Sequence, residues 1–393
     1  MSTAYREREE SNAMNAMALR RLARLAAALV LAGGVAMPTI AGAQGRSAAT
    51  SGVPSYQHIF MIVMENHSYD QIIGNPSAPN LNRLATAYGL ATNYYGVTHP
   101  SEPNYVATIG GDYFGIQDDA PFSSTANGVT HTIDGPSLAS QLDDASLSWK
   151  TYQQGLPYPG YYGTQYPTSG AALYASKHNP FLNFASVQKS LAELQKIVPA
   201  TAITPDLSSV ATTPAFSYIA PDQCHDMHGT SVCGDDTTLI KDGDAYVARL
   251  VDRIQRAPVW STGNTAIVIT WDENDFSSSG VTGCCDANPG GGHVATIVIT
   301  NHGPRGLQDG TPYNHYSLLQ TIEDAFGLPC LRHTCDTANV PPMTALFALS
   351  SSGGGPGPTA TPELGSGELL STGLLPIAGI LLYRRRRRAT VRW

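Results

Sequence analysis

His58-Ile59-Phe60-Met61-Ile62-Val63-Met64 is a β-rich run that stops abruptly at Glu65-Asn66-His67. Seven residues is strand length, and an uninterrupted apolar run suits a strand buried on both faces. The pattern recurs at residues 214–220 before Asp222, at 265–271 before Asp272-Glu273, and at 294–300. Between these runs lie helix-like stretches at 78–88, 136–145, 238–257 and 315–326. Strands alternating with helices predict an α/β fold, a mostly parallel sheet sandwiched between helices. Residues 148–153 read as one more strand. Ligands in such sheets gather beyond the carboxyl ends of the strands, where the polar residues here stand. The stretch 155–185, rich in Tyr, Pro and Gly, reads as a long loop or lid over that edge.

Of 393 residues 42% are hydrophobic and 14% charged, which excludes a collagen, a coiled coil or a disordered chain. Residues 53–350 hold 26 Asp/Glu against 11 Lys/Arg, a net charge of −15 inside the whole-chain −8. Nucleic-acid binding is therefore not expected. One domain, residues 54–349, is the economical reading, and it is long enough to bury a large core.

Both ends read as addresses. Arg20, Arg21 and Arg24, an apolar run to Met37 and Ala41-Gly42-Ala43 have the order of a secretory signal over 1–43. Residues 350–368 form a Ser/Gly/Pro-rich spacer. The segment 369–393 is apolar and then carries Arg384 to Arg388, a membrane anchor or a cell-wall sorting signal that would hold the domain on the extracellular face. Six cysteines suit an exported protein. Cys224 with Cys233 and Cys330 with Cys335 are close enough to bridge locally, whereas Cys284-Cys285 either bridge to each other or separate. A cysteine zinc site would call for a paired Cys-x-x-Cys, which is absent.

Three clusters bear chemistry. In Thr98-His99-Pro100-Ser101-Glu102-Pro103-Asn104-Tyr105, Ser101 reads as a helix N-cap with Pro103 in the first turn, where free amides favour an anion. Glu65-Asn66 and Asp272-Glu273-Asn274-Asp275 each follow a strand and supply hard oxygen ligands for a divalent cation. The third cluster, Asp222-Gln223-Cys224-His225-Asp226-Met227-His228, would join His293 and His315 in a second metal site or supply a proton to a leaving group.

Taken together these segments, with Tyr313-Asn314-His315-Tyr316-Ser317-Leu318-Leu319, resemble the bacterial phosphoesterase family of acid phosphatases and type C phospholipases, over residues 55–329. The resemblance implies an alkaline-phosphatase-like fold and a phosphoric ester hydrolase. It implies Glu65, Asn66, Asp272 and Glu273 as ligands of a divalent metal (Zn, Ca, Mg or Mn), and Ser101 as the nucleophile that also touches it. It further implies Asn104 as a phosphoryl-oxygen ligand. On the reading of the third cluster, Asp226, His228 and His315 would handle protons or activate water. The substrate would be a small phosphate ester or a phospholipid headgroup. Alternatives are phosphodiesterase or phospholipase C activity, or a non-catalytic surface binding protein. A sulfatase is disfavoured because Tyr105 stands where a formylglycine motif needs arginine.

Overall fold

The computed structural model describes residues 52–275 and 281–350. Its frame is a nine-stranded sheet. The strands are β1 (His58–Met64), β2 (Gly89–Tyr95), β3 (Trp149–Gln153), β4 (Ile197–Pro199), β5 (Phe216–Ala220), β6 (Thr265–Trp271), β7 (His293–Thr300), β8 (Leu307–Asp309) and β9 (Tyr313–Asn314). Their spatial order is β8-β2-β7-β6-β1-β5-β3-β4, with β9 also on β2. From β6 to β4 every neighbour pair is parallel, and β7 alone runs against its neighbours β6 and β2. The sheet is thus mostly parallel, as the sequence predicts. Five helices position or flank the site: α1 (Pro79–Ala87), α2 (Ser101–Gly110), α3 (Leu138–Asp144), α4 (Asp236–Gln255) and α5 (His315–Phe326).

All seven residues of β1 and all seven of β6 are buried. At about 1.5–3 kcal/mol for each large apolar side chain removed from water, this central pair supplies much of the drive to fold. Register then decides which residues meet at the carboxyl edge. Met64 lies opposite Trp271 in the β1–β6 pair, so Glu65 and Asp272 emerge side by side. On the other flank Ile62 pairs with Ile219 of β5, and the Glu65 amide donates to the Asp226 carbonyl at 2.8 Å.

The three strands inferred ahead of acidic or His-bearing turns match β1, β5 and β6 closely, and the 294–300 run is β7. Sequence reasoning passed over β2 and β4. The first opens on Gly89 and carries Thr92 and Asn93, and the second has three residues and ends on Pro199, so neither reads as an apolar run. All three cysteine pairs form, including adjacent Cys284 and Cys285. Among the described residues no helix is long and apolar enough to cross a membrane. The secretory signal at 1–43 and the apolar segment at 369–393 lie outside the described residues, as does the spacer beyond Ser350.

Candidate active site

The site forms where β1, β5 and β6 end and α2 begins. Pro100, with an extended backbone, caps α2, and Ser101 is the first helical residue. This corrects the expected N-cap assignment for Ser101. Pro100 occupies the N-cap position without a side-chain cap bond, and the Ser101 hydroxyl, one residue further in, faces the carboxylates. Ser101 Oγ stands 3.0 Å from Glu65 Oε2, 3.1 Å from Glu273 Oε1 and 3.5 Å from Asn66 Oδ1. Asn66 Nδ2 donates to Glu273 Oε1 at 3.0 Å, and the Asn66 amide donates to Asp272 Oδ1 at 3.2 Å. The five residues expected as metal ligands are therefore gathered at one place.

The electrostatics of this place are unfavourable for bare carboxylates. Glu65, Asp272 and Glu273 are buried, and Asp226 is buried behind them. Burial, followed by the repulsion of Glu65 and Glu273, lifts the Asp272 carboxyl well above its usual range. Burial likewise lifts Glu65, against the pull of Lys177. Burial and then Glu65 lift Asp226. Buried carboxylates are costly unless paired or bound to a cation. Asp272 Oδ2 has no hydrogen-bond partner among the described residues, and Glu65 Oε1 has only the His178 ring beside it, without a well-formed hydrogen bond. Hard oxygen donors, convergent and partly orphaned, fit a divalent cation.

His178 completes the inner wall. Its Nε2 lies 3.1 Å from Glu65 Oε1 and its Nδ1 3.1 Å from Asp226 Oδ2. Burial, then Lys177 and His228, push this imidazole well below its usual pKa, so it stays neutral, the form that binds metal. Its ring stacks on Tyr105 of α2, with centroids 5.1 Å apart. Among the described residues Glu65, His178 and His228 also place one ligand atom each within 4.8 Å of one another. Glu65 thus belongs to both groups of donors. Lys177 lies 3.0 Å from Asp119 Oδ2 and 3.3 Å from His228 Nε2. Burial alone would lower the Lys177 pKa, but Glu65 and Asp119 outweigh it and hold the ammonium charged.

Four expectations change. Asn104 accepts from the Val97 and Thr98 amides at 2.9 and 3.1 Å and donates to the Thr98 and Pro100 carbonyls at 2.7 and 3.0 Å. Its amide is spent on the loop before Ser101, leaving no hydrogen for a phosphoryl oxygen. His315 has both ring nitrogens engaged, Nε2 on the Asp272 carbonyl at 2.6 Å and Nδ1 on the Tyr94 hydroxyl at 3.1 Å. Burial lowers its pKa to about 4, so it braces Asp272 as a neutral ring. His293 stacks on Tyr69 and contacts the Thr92 carbonyl, away from the proposed second metal group. Asp226 backs His178 and accepts from the His228 amide at 2.7 Å, so it acts through these neighbours.

Sequence reasoning missed His99, Lys177 and His178. The His99 ring contacts Glu273, and its only signal was its place two residues before Ser101. Lys177 and His178 come directly after residues 155–176, a stretch without one charged side chain, and that break in composition was available to read.

The family model described as the phosphoesterase family matches residues 75–329. The phosphatidylinositol-3-phosphatase of Mycobacterium tuberculosis is 30% identical over 334 residues, 84% of this chain and 96% of that protein. An acid phosphatase of Aspergillus fumigatus is 30% identical over 73% of this chain, and the phosphate-repressible acid phosphatase of Penicillium chrysogenum is 32% identical over 68%. The matched region spans only 58% of each of these two fungal proteins. Among solved structures, a protein in the alkaline phosphatase superfamily from Vibrio parahaemolyticus aligns over 70% of this chain and 68% of its own, at 11% identity and a TM-score of 0.48.

Proposed function

The chain belongs to the phosphoesterase family and is a phosphoric ester hydrolase, and from that premise we propose that it is an exported, metal-dependent phosphatase acting through a phosphoserine on Ser101. The observation that carries this reading is the Ser101 hydroxyl at the first position of α2, set against the buried carboxylates of Glu65 and Glu273 and the half-buried amide of Asn66. Glu65, Asn66, Asp272 and Glu273 would hold the divalent cation, which when bound lowers the serine pKa and polarises a phosphoryl oxygen.

The chain's own residues do the rest. Ser101 Oγ attacks phosphorus, and its proton passes to Glu65 or to Glu273, the latter backed by His99. As the bond from phosphorus to the leaving oxygen breaks, that oxygen takes a proton from His228, which unlike the buried His315 is exposed at the rim; its Nδ1 rests 3.0 Å from the Gly229 carbonyl, leaving Nε2, 3.3 Å from Lys177, to carry the proton. Water then attacks the phosphoserine and gives one proton back to His228, while the serine oxygen leaves phosphorus and takes back the proton held by Glu65 or Glu273, releasing phosphate and restoring the free hydroxyl. Lys177 supplies positive charge to the phosphoryl oxygens, and the first amides of α2 add the helix dipole.

A monoester substrate is favoured because the mycobacterial relative, aligned over nearly its whole length, is named a phosphatidylinositol-3-phosphatase. A phospholipid headgroup monoester and a small soluble ester both suit that chemistry. Export is supported by the three disulfides.

The test is hydrolysis of a chromogenic phosphate monoester and diester by the purified chain and by Ser101→Ala, with and without a chelator. The expected result is monoester release that falls about 10³-fold or more in the variant. Chelation is expected to abolish release and also to lower the melting temperature, because it strands the buried carboxylates. Normal turnover by Ser101→Ala would sink the scheme.

A further inference from the structure

The carboxyl edge of the sheet does not end at the catalytic cluster. Two strands beyond β1, the ends of β3 and β4 open into a cavity of about 190 Å³ lined by Gln154, Thr201, Tyr246, Arg249 and Arg253. That volume is roughly six times the ~30 Å³ share of one water, room for a tetrahedral oxyanion. An open groove of about 530 Å³ adjoins it, lined by the exposed Arg249, Arg253 and Arg256 with Thr204 and Asp252. In a domain with 11 basic residues against 26 acidic ones, three of the 11 stand on the last two turns of α4 or just after them.

Helix-dipole stabilisation favours cations there, and Arg256 is matched by Asp252 at 2.9 Å. That accounts for one arginine. Arg249 and Arg253 are like charges four residues apart, a mildly destabilising pair. Arg253 reaches only the Thr204 hydroxyl, at 2.6 Å, and neither makes an ion pair among the described residues. Around them converge an amide, a hydroxyl and a phenol. Tyr246 is held neutral by burial first and Asp222 second, with its pKa pushed up to about 12, so it can donate. Every polar group in the set can donate a hydrogen bond, and no carboxylate lines the smaller cavity.

We propose that this cavity is a second anion site, taking a phosphate or phosphate-like group between Arg249 and Arg253. It is wired to the catalytic centre through Gln154. The Gln154 carbonyl oxygen Oε1 accepts from the Asp222 amide at 3.2 Å, and its Nε2 lies 3.0 Å from His225 Nδ1. Asp222 and His225 open the turn that carries Asp226 and His228. With strands about 4.8 Å apart, the cavity at β3 and β4 is about 10–15 Å along the edge from the end of β1. A substrate with a second anionic group at that span would bridge the two sites, whereas free phosphate, the product of the proposed reaction, would occupy the cavity by itself. Only the origin of the ligand rests on the proposed function; the site itself does not.

The experiment is calorimetric titration of the full chain with inorganic phosphate, comparing wild type, the double variant Arg249→Gln/Arg253→Gln, and Arg83→Gln as a surface control on α1. Wild type is expected to show one class of phosphate site more than the double variant, with Arg83→Gln like wild type. An isotherm unchanged by the double substitution, or a loss reproduced by Arg83→Gln, overturns the proposal. Steady-state kinetics then separate the two sources. If the substrate bridges, the double variant raises KM about tenfold for an ester carrying a second phosphate and leaves KM for 4-nitrophenyl phosphate unchanged. If free phosphate is the ligand, both KM values stay and phosphate inhibition changes. Failure of the catalytic reading would appear separately, as no hydrolysis of either ester with the phosphate isotherm intact.

Discussion

Asn104 accepts from the buried Val97 amide and the half-buried Thr98 amide, so truncating it to alanine strands both N–H groups. Each unsatisfied buried donor costs about 1–3 kcal/mol. Asn104→Ala is therefore expected to lower unfolding stability by roughly 2–4 kcal/mol, read from the denaturant midpoint. A variant of native stability with a raised KM would instead restore Asn104 as a phosphoryl ligand. The same distinction applies to His315, whose residue type is catalytic elsewhere but whose two nitrogens are both committed here. Residue identity announced chemistry correctly for Ser101 and the acidic turns, while the hydrogen-bond partners that decide between brace and reagent are separated by up to 221 positions.

At the scale of elements, the site depends on a close approach of two chain segments. The Gly291 amide donates to the Gly96 carbonyl at 2.8 Å, and the Gly291 carbonyl accepts from the Asn274 amide at 2.8 Å. A Cβ at Gly291 would collide with the Thr98 carbonyl oxygen and meet Gly96 Cα at 2.9 Å, main-chain atoms that cannot rotate away. Gly291→Ala should push the 96–98 loop off the end of β7, costing about 1–3 kcal/mol and displacing the approach to Ser101. Thermal melting and kcat are expected to fall together; unchanged kcat would show that the loop position does not matter. Helix α2 is tied from its other side, since Glu102 Oε1 accepts from Asn183 Nδ2 at 2.6 Å and lies 2.9 Å from His131 Nδ1. None of these ties has a local pattern, because each joins segments brought together by strand order.

For the whole molecule, pH is a probe of the effect of burial on distant carboxyls. Glu323 on α5 is pushed up to about 8 by burial, against hydrogen bonds from Thr334 at 2.6 Å and Gln141 at 3.3 Å. Its folded pKa lies above the ordinary value of 4.5, so the folded state binds the extra proton between these values. The contribution is fully present below pH 4.5 and is lost as pH rises towards 8. Glu323→Gln, which keeps the neutral shape, should flatten that decline by about 1–3 kcal/mol between pH 5 and 8. Identical pH profiles of stability for the two proteins would show that Glu323 ionises freely.

The run from His58 to Met64 and its counterparts determined the α/β class, the central strands and the acidic turns at their ends, because the burial of an apolar run and the polarity of the residues just after it are local properties of a chain. Even the gathering of Glu65 with Asp272 was implicit, since parallel strands of equal length end together. Only the tertiary structure decided that Pro100 takes the N-cap position of α2, that Asn104 and His315 are braces, that His178 enters from an irregular stretch, and that Arg249 and Arg253 face a cavity. Those outcomes arise from long-range packing and from the satisfaction of buried polar atoms, and no window of sequence carries the partner that satisfies them.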